Sequence, residues 1–144
     1  MRKAFTLIEL LIVIAVISIL IGIALPRFKG MQDEGNIAKA KGELRTLQTA
    51  VESYYIHNSN AYPAALSRLT SAVPRIVSSI PADPFSTTSA SYGYVRGGTN
   101  NKFFVIYSVG PSANGSATIT LDAVVETNGS SCIYASNASQ DAAP

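Results

Sequence analysis

Residues 5–25 read FTLIELLIVIAVISILIGIAL, and this run decides the fold. It is apolar except for four positions, Thr6, Glu9, Ser18 and Gly22. As a helix it would be roughly 31 Å long, which matches the hydrocarbon thickness of a bilayer. The alternative is a secretory signal peptide cut after Ala24, but the apolar region of such signals spans only about 7–15 residues. The length of the run therefore favours a single membrane-spanning helix.

Basic residues flank the apolar run on both sides, with Arg2 and Lys3 before it and Arg27 and Lys29 after it. The numbers of basic residues on the two flanks are therefore equal, and the rule that the more basic flank stays in the cytoplasm does not decide the orientation. The chain before the run is short and the folded mass lies after it, and large domains cross membranes with little regard to their charge. We expect the carboxyl-terminal body to face away from the cytoplasm.

Beyond the apolar run the helical pattern continues in an amphipathic form. Apolar residues recur at three- and four-residue steps, at Ile37, Ala40, Leu44, Leu47, Val51, Tyr54 and Tyr55. Pro26, Gly30 and Gly35 weaken the junction and predict a kink or a local unwinding around residues 22–35. The sequence predicts one long, bent helix that ends near His57, where turn residues begin.

The rest of the chain predicts a small sheet. A short helix is expected around Leu66 and Leu69, and two strands at Tyr92 to Val95 and Lys102 to Ser108 are separated by turn residues and predict a hairpin. A third strand is expected at Thr118 to Val125, and the small, polar tail from Asn128 onward is expected to be partly disordered. The fold class is α+β, a long helix packed on an antiparallel sheet of three or so strands.

Composition excludes several classes of function. The net charge of +2 becomes zero once the basic pair before the apolar run is set aside, so bulk charge gives no case for nucleic-acid binding. The single cysteine, Cys132, cannot form an internal disulfide, and the single histidine, His57, cannot build a multi-histidine metal site. Because no serine lies in a nucleophile-elbow pattern, we expect no enzyme.

Glu9 is the residue that calls for an explanation. A carboxylate inside a bilayer costs on the order of 2.5–3.5 kcal/mol at the helix centre and less near an end. No basic side chain lies between Lys3 and Arg27, so the span supplies no counter-ion. Cleavage after Ala4 would give Phe5 a free α-amino group with a pKa of about 7.7–8.0. That cation could meet Glu9 of its own chain, one turn away, or Glu9 of a neighbouring copy in a bundle.

Here the sequence resembles a known family. Phe5-Thr6-Leu7-Ile8-Glu9, after a short basic leader and before an apolar run ending at Pro26, is similar to the class III signal of type IV pilins and type II secretion pseudopilins. The resemblance implies cleavage between Ala4 and Phe5 by a prepilin peptidase and N-methylation of Phe5. It also implies that Glu9 is the subunit-docking carboxylate and that Pro26 bends the helix. In that family the residue before the cut is usually glycine, whereas this chain has Ala4.

Four segments after residue 60 resemble the head of major pseudopilins: Tyr62-Pro63, residues 80–85, residues 92–94 and residues 104–111. In that family a loop after the last hairpin often binds calcium through several acidic residues. Here Ser112, Ala113 and Asn114 stand in that loop, and Asp122 is the only nearby carboxylate. Because calcium requires many oxygen ligands, the sequence argues against a calcium site, and we expect no cofactor and no metal.

The resemblance sets the expected organisation: a leader at residues 1–4, a transmembrane and filament-core helix at residues 5–26, and a pilin-type head at residues 27–144. The precursor is expected to be single-pass in the inner membrane, with its head in the periplasm. Copies then form a helical filament in the periplasm or at the surface. Expected partners are other copies, the prepilin peptidase, an inner-membrane assembly platform with its ATPase, and minor pilins or pseudopilins.

Three functions remain open at this stage. The first is the major pseudopilin of a type II protein secretion system, and the second is a type IV pilus major pilin for adhesion, twitching motility or DNA uptake. The third is a secreted soluble domain whose mature chain begins near Leu25.

Overall fold

The computed structural model describes residues 5–129 and 131–140 of the chain. The chain divides into two units, residues 1–35 and residues 36–144. Helix α1, Leu7–His57, supplies the described helical residues of the first unit and the first element of the second. The predicted helix end at His57 is confirmed.

In the first unit the helix has no internal partner. Residues 5–32 are all exposed, and the large apolar side chains range from 48% exposed at Val13 to 89% at Leu7. Burying such side chains is the main favourable term in folding. This unit therefore leaves a large apolar surface that its own described residues do not cover.

The predicted local unwinding around residues 22–35 is absent, since every residue there is helical, Pro26 included. A proline inside a helix removes one main-chain donor, and the neighbouring turns continue the helix on either side of it. A bend at Pro26 stays a prediction.

In the second unit one face of α1 is buried, as the three- and four-residue spacing predicted. The buried residues are Ala40, Leu44, Leu47, Ala50 and Val51. Tyr54 and Tyr55 are partly buried and pack against the same core, which confirms them as packing residues. Their partners include Leu66, Leu69 of helix α2 (Arg68–Ser71), and Phe104.

The described part of this unit also contains two three-stranded sheets. The first has the order β1-β2-β5 and the second β3-β4-β6. The strands are β1 Gly93–Gly97, β2 Phe103–Ser108, β3 Ser116–Ile119, β4 Val124–Asn128, β5 Ile133–Ser136 and β6 Ser139–Gln140. All pairs are antiparallel except β4 with β6, which is parallel. The α+β class is confirmed, with a second sheet that the sequence did not predict.

Strand β2 lies between two cores. Phe104 and Ile106 belong to the cluster around α1, whereas Val105 belongs to the cluster with Ala117 and Val125 of the second sheet. Successive side chains of a strand point to opposite faces, and all three β2 residues are fully buried. The first sheet is therefore covered on both faces, by α1 and by the second sheet.

One prediction about the carboxyl half is wrong. The expected strand at Thr118 to Val125 is a hairpin of β3 and β4, with a turn in which Ala123 has a φ of 64° and Thr120 N bonds to Val124 O. Residues 131–140 of the tail, which was expected to be partly disordered, supply β5 and β6, and Ile133 pairs with Ser108 of β2; residues 130 and 141–144 lie outside the described residues. Tertiary pairing orders residues whose own composition is weakly structured.

Candidate functional site

Glu9 lies in the first turn of α1, where the sequence placed the docking carboxylate. Thr6 precedes the helix, and the two residues form a capping box. Glu9 Oε2 accepts from Thr6 N at 3.2 Å and from the Thr6 hydroxyl at 3.0 Å. In return Glu9 N donates to Thr6 Oγ1 at 3.3 Å. The first main-chain donors of a helix have no partner within it, and this reciprocal arrangement satisfies two of them.

The cap leaves Glu9 with capacity for a further donor. Both bonds from Thr6 go to Oε2, and no donor among residues 5–129 and 131–140 reaches Oε1. A carboxylate at a helix amino terminus is also favoured by the helix dipole. Glu9 is therefore held in place within its own chain while one oxygen stays open to a cation from outside.

The cleavage site is described on one side only. Phe5 is 80% exposed and lies outside the helix, whereas Ala4 lies outside the described residues. Phe5 is thus accessible, and its assigned role in methylation stays a prediction.

One helix within the described part of the chain is long and apolar enough to cross a membrane, and it is α1. No residue of its most apolar window is buried in the chain. This agrees with the span expected at residues 5–25.

Asp83 is the most buried carboxylate among the described residues of the head, at 4% exposed. It accepts from Ser108 Oγ at 2.8 Å, Val109 N at 2.9 Å and Phe85 N at 3.0 Å. A buried carboxylate is tolerated when several donors satisfy it. Asp83 thereby fixes the end of β2 against the segment that follows Pro81. Its role was not predicted, although an aspartate between Pro81-Ala82 and Pro84 is a recognisable turn signal.

Three tyrosines of the head are bonded or buried in ways that disfavour their ionised form. Tyr92 donates to Glu43 Oε2 at 2.6 Å, and burial together with that carboxylate raises the Tyr92 pKa. Burial and the neighbouring Glu52 raise the pKa of Tyr62 to about 12, and burial raises the pKa of Tyr94. These tyrosines stabilise the head as neutral hydroxyls.

The remaining candidates take structural positions. His57 ends α1, and its Nδ1 contacts Ser53 O at 2.8 Å. Cys132 is half-buried and unpaired in the described part of the chain, and burial raises its pKa. Residues 5–129 and 131–140 contain no group of three acidic, histidine or cysteine residues that could hold a metal ion.

The loop that would hold calcium in related heads is closed by hydrogen bonds. Gly115 N donates to Val109 O at 2.9 Å, and the Ser112 and Ser131 hydroxyls are 2.7 Å apart. Gly110 has a φ of 69°, and a side chain there would collide with Ser131 O, so only glycine fits. Within the described residues the loop holds no cluster of carboxylates, and the absence of calcium stays a prediction.

Comparison with known proteins gives the same picture. Residues 1–25 match the family model for the prokaryotic N-terminal methylation motif. The chain is 26% identical to the type II secretion system core protein G of Pseudomonas aeruginosa, over 76% of this chain and 83% of that protein. It is 27% identical to the protein of the same name from Pectobacterium carotovorum subsp. carotovorum, over 76% of each.

A shorter match is the fimbrial protein EcpB of Eikenella corrodens, 48% identical over 39% of this chain and 35% of that protein. No solved structure matches the chain significantly. The capped glutamate, the uncovered apolar helix, the helix-on-sheet head and these relatives agree: the chain carries the N-terminal methylation motif and is similar to type IV pilins and type II secretion pseudopilins.

Proposed function

We propose that this chain is the major pseudopilin of a type II protein secretion system, the subunit of a filament that serves protein export. The observation that carries the proposal is how far each match extends. The core protein G matches from Pseudomonas aeruginosa and Pectobacterium carotovorum each cover 76% of this chain, whereas a fimbrial match covers 39%. The role is structural, as in the rest of the family.

The chemistry of assembly begins at the leader. Hydrolysis of the Ala4–Phe5 bond by a prepilin peptidase leaves a carboxylate on the leader and an amine on Phe5. That amine is largely protonated near neutral pH, and N-methylation replaces an N–H while the charge is retained. A neutral amide thus becomes a cation one helical turn from Glu9.

Glu9 then acts as the docking group between copies. Its Oε2 stays on the Thr6 cap, and its open Oε1 pairs with the Phe5 amine of a neighbouring copy. In a low-dielectric surrounding such a pair is much stronger than in water. Pairing of the Phe5 amine of one copy with Glu9 of the next fixes the axial shift between the two α1 helices.

The exposed apolar side chains of residues 5–32 provide the contact surface. In the precursor they face lipid in the inner membrane, with the head in the periplasm. In the filament they face the helices of other copies. The exchange replaces one apolar environment by another, so most of the energy must come from outside the subunit. An inner-membrane assembly platform with its ATPase is the expected source, and minor pseudopilins are the expected additional subunits.

The head is proposed to work without calcium or any other cofactor. Hydrogen bonds close the loop between Val109 and Gly115, and Asp83 fixes its base. These contacts hold the loop in the place where related heads use a metal.

The second candidate is a type IV major pilin. It is favoured by the higher local identity to pilins, for example 45% over 38% of this chain for the type IV major pilin PilA of Myxococcus xanthus. Deletion of the chain distinguishes the two: loss of exported enzymes indicates the pseudopilin, and loss of long surface fibres indicates the pilin.

The docking role is tested by Glu9→Gln in cells that carry the full export apparatus. We expect a protein that is cleaved and membrane-bound but absent from sheared or crosslinked filaments. Glu34→Gln is the matched control, because Glu34 is an exposed carboxylate of the same unit, and it should assemble normally. Incorporation of Glu9→Gln at the wild-type level would refute the docking role.

Intact mass and amino-terminal sequencing of the mature protein test the processing. The expected mature chain begins at a methylated Phe5. A chain that begins near Leu25 would indicate a conventional signal peptide and would overturn the membrane anchor together with the filament.

A further inference from the structure

Strand β5 forms an open edge of the first sheet. It pairs with β2 on one side only. On the other side Gln48 Nε2 of α1 donates to Ser136 O at 3.2 Å. Because main-chain groups of a strand alternate in direction, the N–H and C=O of Tyr134 point to the same side as those of Ser136. The edge therefore presents main-chain donors and acceptors away from β2.

A groove runs along this edge, between β5 and α1. One cavity of about 400 Å³ is lined by Lys41, Arg45 and Gln48 on the helix side and by residues 133–136 on the strand side. A second cavity of about 390 Å³ shares Lys41 and Tyr134 and continues past Ile37 and Pro111. Four strand residues extend about 13 Å, so the groove accompanies β5 over its length.

The helix wall of the groove is cationic. Lys41 and Arg45 are exposed and lie four residues apart, on one face of the helix. The salt bridge found in the described part of the chain joins Lys39 to Glu43 instead, at 3.9 Å, and Glu43 also accepts from Tyr92. Lys41 and Arg45 thus line the groove beside the strand edge, and neither forms a salt bridge with a carboxylate of the described residues.

The side chains of β5 also lack two features that usually block strand addition, a charged residue and a proline. Edge strands are commonly protected by charged residues, proline or extreme shortness. Strand β1, the opposite edge of the same sheet, carries Arg96 and a glycine at each end, and β6 has only two residues. Strand β5 reads Ile-Tyr-Ala-Ser, with no charge and no proline.

We propose that the β5 edge binds an extended, acidic segment of a partner protein, which adds to the first sheet as a further strand. The segment would form main-chain hydrogen bonds with Tyr134 and Ser136. The Gln48 side chain, which donates to Ser136 O, would move away to free that oxygen. Acidic side chains would meet Lys41 and Arg45, and an apolar side chain would fit beside Ile37 and Pro111. A second copy of this chain is a poorer occupant, because pairing two β5 edges would place two sets of these basic residues in one groove.

The test uses the full chain, labelled with ¹⁵N in detergent micelles, and capped eight-residue peptides of alternating valine and glutamate. We expect saturable shifts of the Tyr134 and Ser136 amide signals. The same peptide with lysine in place of glutamate should bind at least about fivefold more weakly, since exposed ion pairs are individually weak but two are lost. Methylation of alternate peptide nitrogens should abolish the shifts, because strand addition needs those donors.

The variant Lys41→Glu with Arg45→Glu should weaken binding of the glutamate peptide about tenfold and favour the lysine peptide. The matched control is Arg75→Glu with Lys102→Glu, which makes the same change of charge at exposed positions outside the groove. Equal binding of both peptides, unmoved β5 amides, or an unchanged affinity of the Lys41 and Arg45 variant would overturn the proposal. Concentration-dependent β5 shifts without any peptide would assign the edge to a second copy instead, and would also overturn it.

Discussion

The two parts of helix α1 carry similar apolar residues in opposite surroundings. Ile14 and Leu20 are 55% and 61% exposed, whereas Leu44 and Leu47 are 1% and 2% exposed. The first part is apolar on every side, and the second is apolar on one side only. A one-sided helix can be covered by its own domain, but a helix apolar all round needs an apolar medium or other helices. The apolar pattern along α1 therefore distinguishes the residues that stabilise the head from the residues that are left to contact a membrane or other helices.

The largest expected effect is on the buried part of the helix. Leu47→Ala should lower the free energy of unfolding of the head by about 2–5 kcal/mol, because it leaves a cavity in the core. Leu20→Ala, the matched change in the exposed part, should leave that free energy unchanged. All seven tyrosines lie after residue 53, so the tyrosine band of the near-ultraviolet circular dichroism spectrum during denaturation in detergent reports the head. Equal effects of the two changes would contradict the separation.

A somewhat smaller effect is expected at Asp83. Asp83→Ala leaves Ser108 Oγ and two main-chain donors without their acceptor, which should cost about 2–3 kcal/mol of head stability. Membrane attachment should not change, because it depends on residues 5–32. Asp122→Ala, at an exposed turn, is the control and should be nearly neutral. The prediction fails if Asp83→Ala unfolds at the wild-type denaturant concentration.

Alkaline pH should lower the free energy of unfolding of the head and leave the helicity of residues 7–32 unchanged. The pKa of Tyr62 is raised to about 12 from its usual value of 10.0, so the folded state favours the neutral hydroxyl. The resulting stabilisation is complete below about pH 10 and is lost as the pH rises through about 12. Denaturation measured at several values from pH 9 to 12 should show this decline, and Tyr62→Phe should make it shallower. A decline of the same size in Tyr62→Phe would assign it to other groups.

The smallest expected effect is that of calcium. Because the loop between Val109 and Gly115 is closed by hydrogen bonds, we expect neither a chelator nor millimolar calcium to shift the thermal unfolding midpoint of either part of the protein. Magnesium at the same concentration is the control for ionic strength. A rise in the midpoint with calcium alone would show that the loop binds it.

The sequence predicted those features that have a strong local signal. The buried stripe through Leu44 follows from spacing, and the helix end at His57 follows from the turn residues after it. Glu9 stood out because a charge interrupts an apolar run. The partner of Glu9 was missed, although a threonine three residues before a glutamate is the pattern of a capping box. The local sequence therefore contained enough information to predict the structure around Thr6 and Glu9.

The features that were missed depend on contacts distant in sequence. Strand β5 forms because Ile133 and Ala135 pair with β2 and pack below α1, which no local pattern reveals. The turn at Asp122-Ala123 was hidden because the residues around it read as one β-rich run. The groove beside β5 requires both the helix and the last strand of the first sheet, so it could be found only from the structure.

The position of β2 between β1 and β5 has a consequence for biogenesis. Residues 103–108 leave the ribosome well before residues 133–136, which complete their sheet. Until residues 133–136 emerge, β2 has one unpaired side, and incomplete chains are open to mispairing and to proteolysis. A premature stop shortly before Ile133 would therefore leave the first sheet without β5, and we expect such chains to be degraded rather than to accumulate.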